Sequence, residues 1–212
     1  TIIHYGDYDL SKSIPDVFYK YFFLDRVSLV EKICRGESVE NFLLEFTRTT
    51  PVVITYGSSG LSGSVKMVGF IPREDFIINF SEKAYKYAYS NRPSDMRETA
   101  CLLLREFYDL KYIDPFTIGG LEMGFKHSWF NIRETGYATL LFYTPPRLSF
   151  EVRCSVEIRD SENDPYRIYL NSIHDIFHYS GVKSNYPAYL FRIREIYDNS
   201  ALRNGFGNKI YP

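Results

Sequence analysis

Three polar residues recur at every second position beside a glycine-rich segment. Ser62, Ser64 and Lys66 lie at the end of the segment GSSGLSG or directly after it. Side chains alternate between the two faces of a strand, so all three would share one face if this stretch is extended. Hydroxyl and ammonium groups on one face could bind a phosphate or a ribityl chain, and the turn could add backbone N–H donors. The segment lacks the glycine spacing of nucleotide-binding motifs, and a plain hairpin turn is the alternative.

Ser81 and Lys83 form a second polar pair, directly after the apolar run at residues 76–80. If that run is a strand, the pair stands where the edge of a sheet meets solvent. Both groups of polar residues therefore point to the same sheet as the place where a ligand would bind.

His174 and His178 are the candidate metal ligands, four positions apart with Asp175 between them. On a helix, or on a strand, the two imidazoles would share one face and could bind one zinc ion. The run HDIFH resembles the zinc-peptidase pattern HExxH with Asp in place of Glu, and no third ligand can be placed. The alternative is a structural pair that bonds to the backbone or to Asp175.

A further cluster of polar and aromatic residues falls in a glycine-rich region. Such a group often lines a ligand pocket, and a buried tryptophan that anchors a loop is the alternative. The cluster consists of Glu122, Lys126, His127, Trp129, Asn131 and Arg133.

The elements that must position these residues begin with helices. We expect an irregular arm over residues 1–12, a helix from Pro15, and a second helix over 27–35 that Gly36 ends. A third helix is expected after Ser38 and ends before Pro51.

Strands follow, with one long helix among them. Apolar runs predict strands at 52–54, 65–71 and 76–80, and the Ser94-Asp95 cap predicts a helix over 94–108. Residues 111–136, with Pro115 and several glycines, read as a long loop region.

The remaining strands are predicted at 137–144, 150–158, 166–173 and 188–196, before a polar tail at 199–212. Residues 150–158 alternate apolar and polar without exception, which predicts one core face and one solvent face. The fold class is therefore α+β, with an antiparallel six- or seven-stranded barrel or sheet, N-terminal helices and one long inserted helix. We expect a single domain overall, with the arm and helices in 1–50 and the barrel in 51–198.

Composition limits the classes of function. The 212 residues include 25 basic and 26 acidic side chains, a net charge of −1, so binding of nucleic acid is not expected. No apolar run is long enough to span a membrane. Three cysteines, far apart and odd in number, argue against a disulfide framework and favour a reducing, cytoplasmic setting.

The order of these elements resembles the flavin-binding split-barrel proteins, the group of pyridoxamine phosphate oxidases and flavin reductase-like proteins. The similar segments are PVVITYG, SVKMVGFI, DFIINFS and RLSFEVRCSVEIRD, within residues 38–175. The resemblance implies a homodimer with FMN between its subunits. It also implies that the phosphate of FMN is bound by Ser62, Ser64 and Lys66, with Ser81 and Lys83 after the third strand.

Three functions are therefore expected, in this order. The first is an FMN-dependent oxidoreductase of a small molecule, in which the flavin carries the redox step. The second is a non-catalytic module that binds a protein or nucleic acid through its aromatic-rich surface. The third is a metal-dependent hydrolase centred on His174 and His178.

Overall fold

The structure, a computed structural model, describes residues 13–212. The predicted arm at residues 1–12 lies outside the described residues. The helices are α1 (Asp16–Tyr19), which continues through a π-helical segment (Lys20–Leu24) into α2 (Asp25–Arg35), then α3 (Phe42–Phe46), α4 (Ile77–Tyr89), α5 (Met96–Glu106), α6 (His127–Thr135) and α7 (Pro165–His178). The strands are β1 (Val52–Thr55), β2 (Ser62–Val65), β3 (Val68–Pro72), β4 (Ile113–Leu121), β5 (Tyr137–Thr144), β6 (Leu148–Arg159), β7 (Ala188–Asp198) and β8 (Asn208–Tyr211).

The strands form one antiparallel sheet whose two edges are consecutive in the chain. The strand order is β2-β1-β5-β6-β7-β4-β3, with β8 paired to β7 off this path. The edge strands β2 and β3 are joined only by Lys66 and Met67. Three Cα-to-Cα steps span at most about 11 Å, so the sheet must curl until its edges meet at this corner. The predicted antiparallel barrel or sheet is therefore confirmed, with eight strands within residues 13–212 where six or seven were expected.

Aromatic side chains from the N-terminal helical stretch fill one part of the barrel core. The rings of Phe18 and Phe150 are 5.4 Å apart, and those of Phe22 and Phe70 are 5.8 Å apart. All four residues are buried. Each such pair stabilises the fold by about 0.5–1.5 kcal/mol beyond the burial of its area, so the helical stretch is an integral part of the barrel.

A second core lies outside the barrel, where α4, α5 and α7 cover strands β3, β4 and β7. Ile71, Phe80, Leu103 and Leu190 are buried in it. Gly119 on β4 allows the close approach, because a Cβ atom there would lie 2.5 Å from Ile71 Cδ1 and 2.9 Å from Leu170 Cδ2. Helices α4, α5 and α7 therefore cover β3, β4 and β7, whereas α6 packs against the inner face of β1 and β2.

Several predicted elements are confirmed. The helix at 94–108 is α5, and Asp95 caps it by accepting the N–H of Glu98 at 2.8 Å. The strands at 137–144, 150–158 and 188–196 are β5, β6 and β7, and Gly36 ends α2 with a left-handed φ of 72°. The third helix starts later than predicted, at Phe42.

Other predicted elements are wrong. Residues 76–80 and 166–173 are helical, not extended, and belong mostly to α4 and α7. Short apolar runs do not distinguish a strand from a buried helix. The sequence signal that does is Asp164 before Pro165, because Asp164 caps α7 by accepting the N–H of Tyr166. The predicted loop at 111–136 contains β4 and α6, and the tail contains β8.

The prediction against a disulfide is also wrong. Cys34 on α2 and Cys101 on α5 are bonded, with their Cα atoms 4.8 Å apart, and Cys154 is a buried free thiol. Separation along the chain hid the pairing, because two helices that pack side by side bring the residues together. Of the helices in residues 13–212, none has both the length and the apolar character that crossing a membrane requires.

Loss of the disulfide should lower the stability of the fold. The bond joins residues with a sequence separation of 67 and so restricts the unfolded chain. Without the bond the unfolded chain gains entropy, and the free energy of unfolding should fall by about 4 kcal/mol. Urea unfolding of Cys101→Ser should show this loss, and wild-type protein in reductant should match the variant. Identical midpoints with and without reductant would contradict the bond.

Candidate functional site

Ser62, Ser64 and Lys66 share one face, as predicted, but that face is turned toward other parts of the chain. Ser62 Oγ lies 2.9 Å from Thr55 Oγ1, and Ser64 Oγ lies 3.1 Å from Ser128 Oγ of α6. Lys66 Nζ donates to Glu122 Oε2 at 2.9 Å. Each of the three side chains is therefore bonded inside the protein.

The glycine-rich turn is held by helix α6. Glu134 accepts the N–H of Ser58 at 2.8 Å, and Asn131 Oδ1 accepts the N–H of Ser59 at 3.1 Å. The amide of Asn131 donates to the carbonyl of Gly60 at 2.8 Å. Side chains of the protein thus occupy backbone donors that a phosphate would need, and the hairpin-turn interpretation accounts for the segment.

Ser81 and Lys83 lie on helix α4. The prediction that they follow a third strand ending at residue 80 is therefore wrong. Ser81 is buried, and its hydroxyl donates to the carbonyl of Ile78 at 2.8 Å. Lys83 Nζ lies 3.1 Å from Glu106 Oε2 on α5. The two residues have different neighbours from Ser62, Ser64 and Lys66, and the structure does not bring the five together.

The predicted phosphate site therefore does not fit FMN. A phosphate needs several donors that are free and converge on one point. The serines and lysines predicted for it have partners within the chain and lie on two separate elements.

Glu122 is the most extensively bonded residue of this region. Only 1% of its surface is exposed, and its Oε2 accepts bonds from Lys66 Nζ and from Tyr189 Oη at 2.8 Å. Its Oε1 accepts the N–H groups of Gly124 and Phe125, each at 2.7 Å. Burial raises the pKa of Glu122, but the bonds from Lys66 and Tyr189 outweigh burial and leave the pKa below its usual value. Burial and the neighbouring carboxylate raise the pKa of Tyr189.

The sequence placed Glu122 in a ligand-lining cluster, but in the structure Glu122, Trp129 and Asn131 are buried, and Lys126, His127 and Arg133 are exposed. Trp129 is buried, 6.3 Å from the ring of Tyr189 and 5.4 Å from that of Phe125. The burial of Trp129 agrees with the alternative of an anchoring tryptophan, although Trp129 lies on helix α6 and not on a loop. A glutamate two positions before a glycine gives no sequence signal of burial.

His174 and His178 lie on one face of α7, with ring centroids 5.1 Å apart. His174 Nδ1 is 2.9 Å from Asp175 Oδ1 and 3.1 Å from Ser184 Oγ. Across residues 13–212, no group of three or more His, Cys, Asp or Glu side chains is arranged to hold a metal. The contact with Asp175 is the one that the structural alternative predicts.

Ser184, His174 and Asp175 do not form a catalytic triad. In a triad the serine and the carboxylate bond to opposite ring nitrogens, so that the imidazole can accept a proton while the carboxylate orients it. Here both groups face the same nitrogen, and Ser184 Oγ donates directly to Asp175 Oδ1 at 2.5 Å.

Asp175 instead holds the segment between α7 and β7. It accepts the N–H of Ser184 at 2.8 Å and the hydroxyl of Tyr89 at 2.7 Å, and it is 1% exposed. Burial raises the pKa of Asp175, but the bonds from Ser184 and Tyr89 bring it below its usual value. One turn and two turns earlier, Asn171 and Arg167 bond to backbone carbonyls of the same segment.

No protein-family profile matches this sequence. No curated protein matches it either. Similar solved structures include HupZ of Group A Streptococcus, with a TM-score of 0.47 and 10% identity over 82% of this chain and 99% of that one. A pyridoxamine 5'-phosphate oxidase-related, FMN-binding protein of Nostoc punctiforme has a TM-score of 0.41 and 9% identity over 81% of this chain and 80% of its own. An F420 reductase has a TM-score of 0.41 and 12% identity over 75% of this chain and 98% of that one.

These names agree with the resemblance that the sequence predicts. With every one of these TM-scores below 0.5, nothing about the function of this chain is concluded from them.

Replacing Asp175 should make the free energy of unfolding depend less on pH in the acidic range. A carboxylate whose pKa is lowered by folding stabilises the protein above its unfolded pKa of about 4, and this contribution is lost as the pH falls through the folded pKa. We expect Asp175→Asn to lower the free energy of unfolding by about 2–3 kcal/mol at pH 7, with the deficit shrinking below pH 4. Denaturant unfolding across this range, with Asp75→Asn at an exposed position as control, measures it. An equal deficit at every pH would contradict the assignment.

Proposed function

We propose that this chain is a non-catalytic protein-binding module and that its first partner is a second copy of itself. The observation that carries the proposal is an apolar row across three neighbouring strands. Val65, Val52 and Leu141 are direct cross-strand neighbours on β2, β1 and β5. Val65 is 67% exposed, and the other two are partly exposed.

The apolar row is part of a larger surface, which we call the open face. Ile54 and Tyr143 extend the row by one position on either side, and Tyr143 is exposed. Their strand neighbours Val53 and Phe142 point into the barrel and are fully buried. Contiguous apolar surface of this kind marks interaction sites in soluble proteins.

The border of the open face suits a symmetric pair of copies. On β6 and β7, Arg153 bonds to Glu151 at 2.7 Å and to Glu195 at 3.2 Å, and Lys209 on β8 bonds to Glu195 at 2.8 Å. A twofold axis places the same patch on both subunits, so apolar groups meet at the centre and charges of both signs meet at the rim. The net charge of −1 gives little repulsion between copies.

Binding is favoured over catalysis because the candidate cofactor and catalytic side chains described above are bonded within the protein. The predicted cofactor residues have internal partners, and Ser184, His174 and Asp175 hold a loop. A small-molecule substrate and a cytoplasmic location remain predictions. The cytoplasmic location was predicted from the absence of a disulfide, and the Cys34–Cys101 bond removes that reason.

A charge placed on the open face should separate the copies. We expect wild-type protein to sediment as a dimer at micromolar concentration. Val65→Lys should raise the dimer dissociation constant by at least about tenfold, because a buried ammonium group would have no partner at the interface. Circular dichroism should show an unchanged fold. The matched control is Val182→Lys, at a 77% exposed position on the α7–β7 connection.

The sedimentation experiment has clear contrary results. A wild-type monomer at all accessible concentrations would remove the proposal. So would a dimer that Val65→Lys leaves intact.

FMN binding, with flavin-dependent oxidoreduction, is the competing proposal and rests on the resemblance. When bound, FMN would supply the electron-accepting ring. If the binding module is correct, purified protein is colourless, lacking flavin absorbance at about 450 nm, and added FMN keeps its full fluorescence. A yellow protein, or stoichiometric quenching of FMN, would replace our proposal with the flavin.

A further inference from the structure

Four hydrogen-bond donors from three separate parts of the chain converge on one carboxylate. Lys66 lies between β2 and β3, Tyr189 lies on β7, and the N–H groups of Gly124 and Phe125 follow β4. They reach the two oxygens of Glu122 at 2.7–2.9 Å.

The backbone at this point has the form of an anion-binding loop. Two successive N–H groups, those of Gly124 and Phe125, point at the same oxygen of Glu122. Phe125 has a φ of 50°, in the left-handed region that non-glycine residues seldom adopt. Successive N–H groups directed to one point by such a turn form a concavity that binds anions.

Lys66, the charged donor, is also positioned to bind an anion. The Lys66 side chain is 14% exposed, and its ammonium group also lies 5.9 Å from the centre of the Tyr189 ring. An ammonium group, a phenol and two amides are a donor set that proteins use for carboxylates and phosphates. A buried ammonium group requires an anion beside it.

We propose that this is an anion-binding site and that Glu122 is its resident anion. The chain's own carboxylate stands where a bound carboxylate or phosphate would otherwise be held. Lys66 is consequently not available to the phosphate of a cofactor, which explains why the predicted FMN site does not fit. Deleting the carboxylate opens the site to a small carboxylate from solution.

Acetate is the matched probe, because Glu122→Ala removes a CH₂–COO⁻ group, which is acetate less one hydrogen. The variant should have a lower thermal midpoint than the wild type, since Lys66 loses its anion. Sodium acetate should raise that midpoint in a saturable way, and sodium chloride at equal concentration should not. Wild-type protein and the double variant Glu122→Ala/Lys66→Met should respond equally to the two salts.

A measurement on the wild type keeps the proposal testable if Glu122→Ala fails to fold. Lys66 should be acylated about tenfold more slowly than the exposed Lys126, because its side chain is largely covered and its ammonium group is paired with Glu122. Mass spectrometry of the labelled peptides gives both rates. Equal rates for the two lysines would overturn the proposal, and so would a folded Glu122→Ala variant that responds to acetate no more than to chloride.

Discussion

The connection of two residues between the edge strands is the constraint on which the rest of the structure depends. Because Lys66 and Met67 alone join β2 to β3, the two edges of the sheet cannot lie apart. Backbone contacts on both sides of the corner agree with this closure. The N–H of Lys66 still bonds to the carbonyl of Pro51 next to β1, and the carbonyl of Met67 already lies beside Gly120 on β4.

Closure at this corner determines what the polar residues around it do. A side chain that leaves β2 on its inner face meets β1, α6 or the residue that follows β4. Ser64 therefore finds Ser128, and Lys66 finds Glu122. On an open sheet, these hydroxyls and this lysine could bind a phosphate. In the closed barrel they bond to other parts of the chain and stabilise the junction of the edge strands. The outward-facing side chains of β1, β2 and β5 form the open face, where we propose that a second copy binds.

The sequence predicted those elements whose signal is local and complete. The alternation over β6 and the Asp95 cap of α5 each require only neighbouring residues to agree. Strand β4 was missed because Pro115, Gly119 and Gly120 read as a loop, whereas Gly119 is small so that a helix can approach.

The functional residues were harder to predict than the elements. The spacing of Ser62, Ser64 and Lys66 placed them on one face, but no spacing shows what lies opposite that face. Glu122 and the Cys34–Cys101 pair depend on contacts between segments far apart in the chain. Such contacts follow from closure and helix packing, which a single sequence does not display.

The central claim, that Lys66 and Glu122 are bonded to each other at the junction of the edge strands and are not free to bind a ligand, is tested most directly by a double-mutant cycle. The free energy of unfolding would be measured for wild type, Lys66→Met, Glu122→Gln and the double variant. We predict a coupling of about 1–3 kcal/mol, because each substitution leaves the other buried group without its partner. Additive effects, with a coupling near zero, would show that the two residues act independently and would contradict this account.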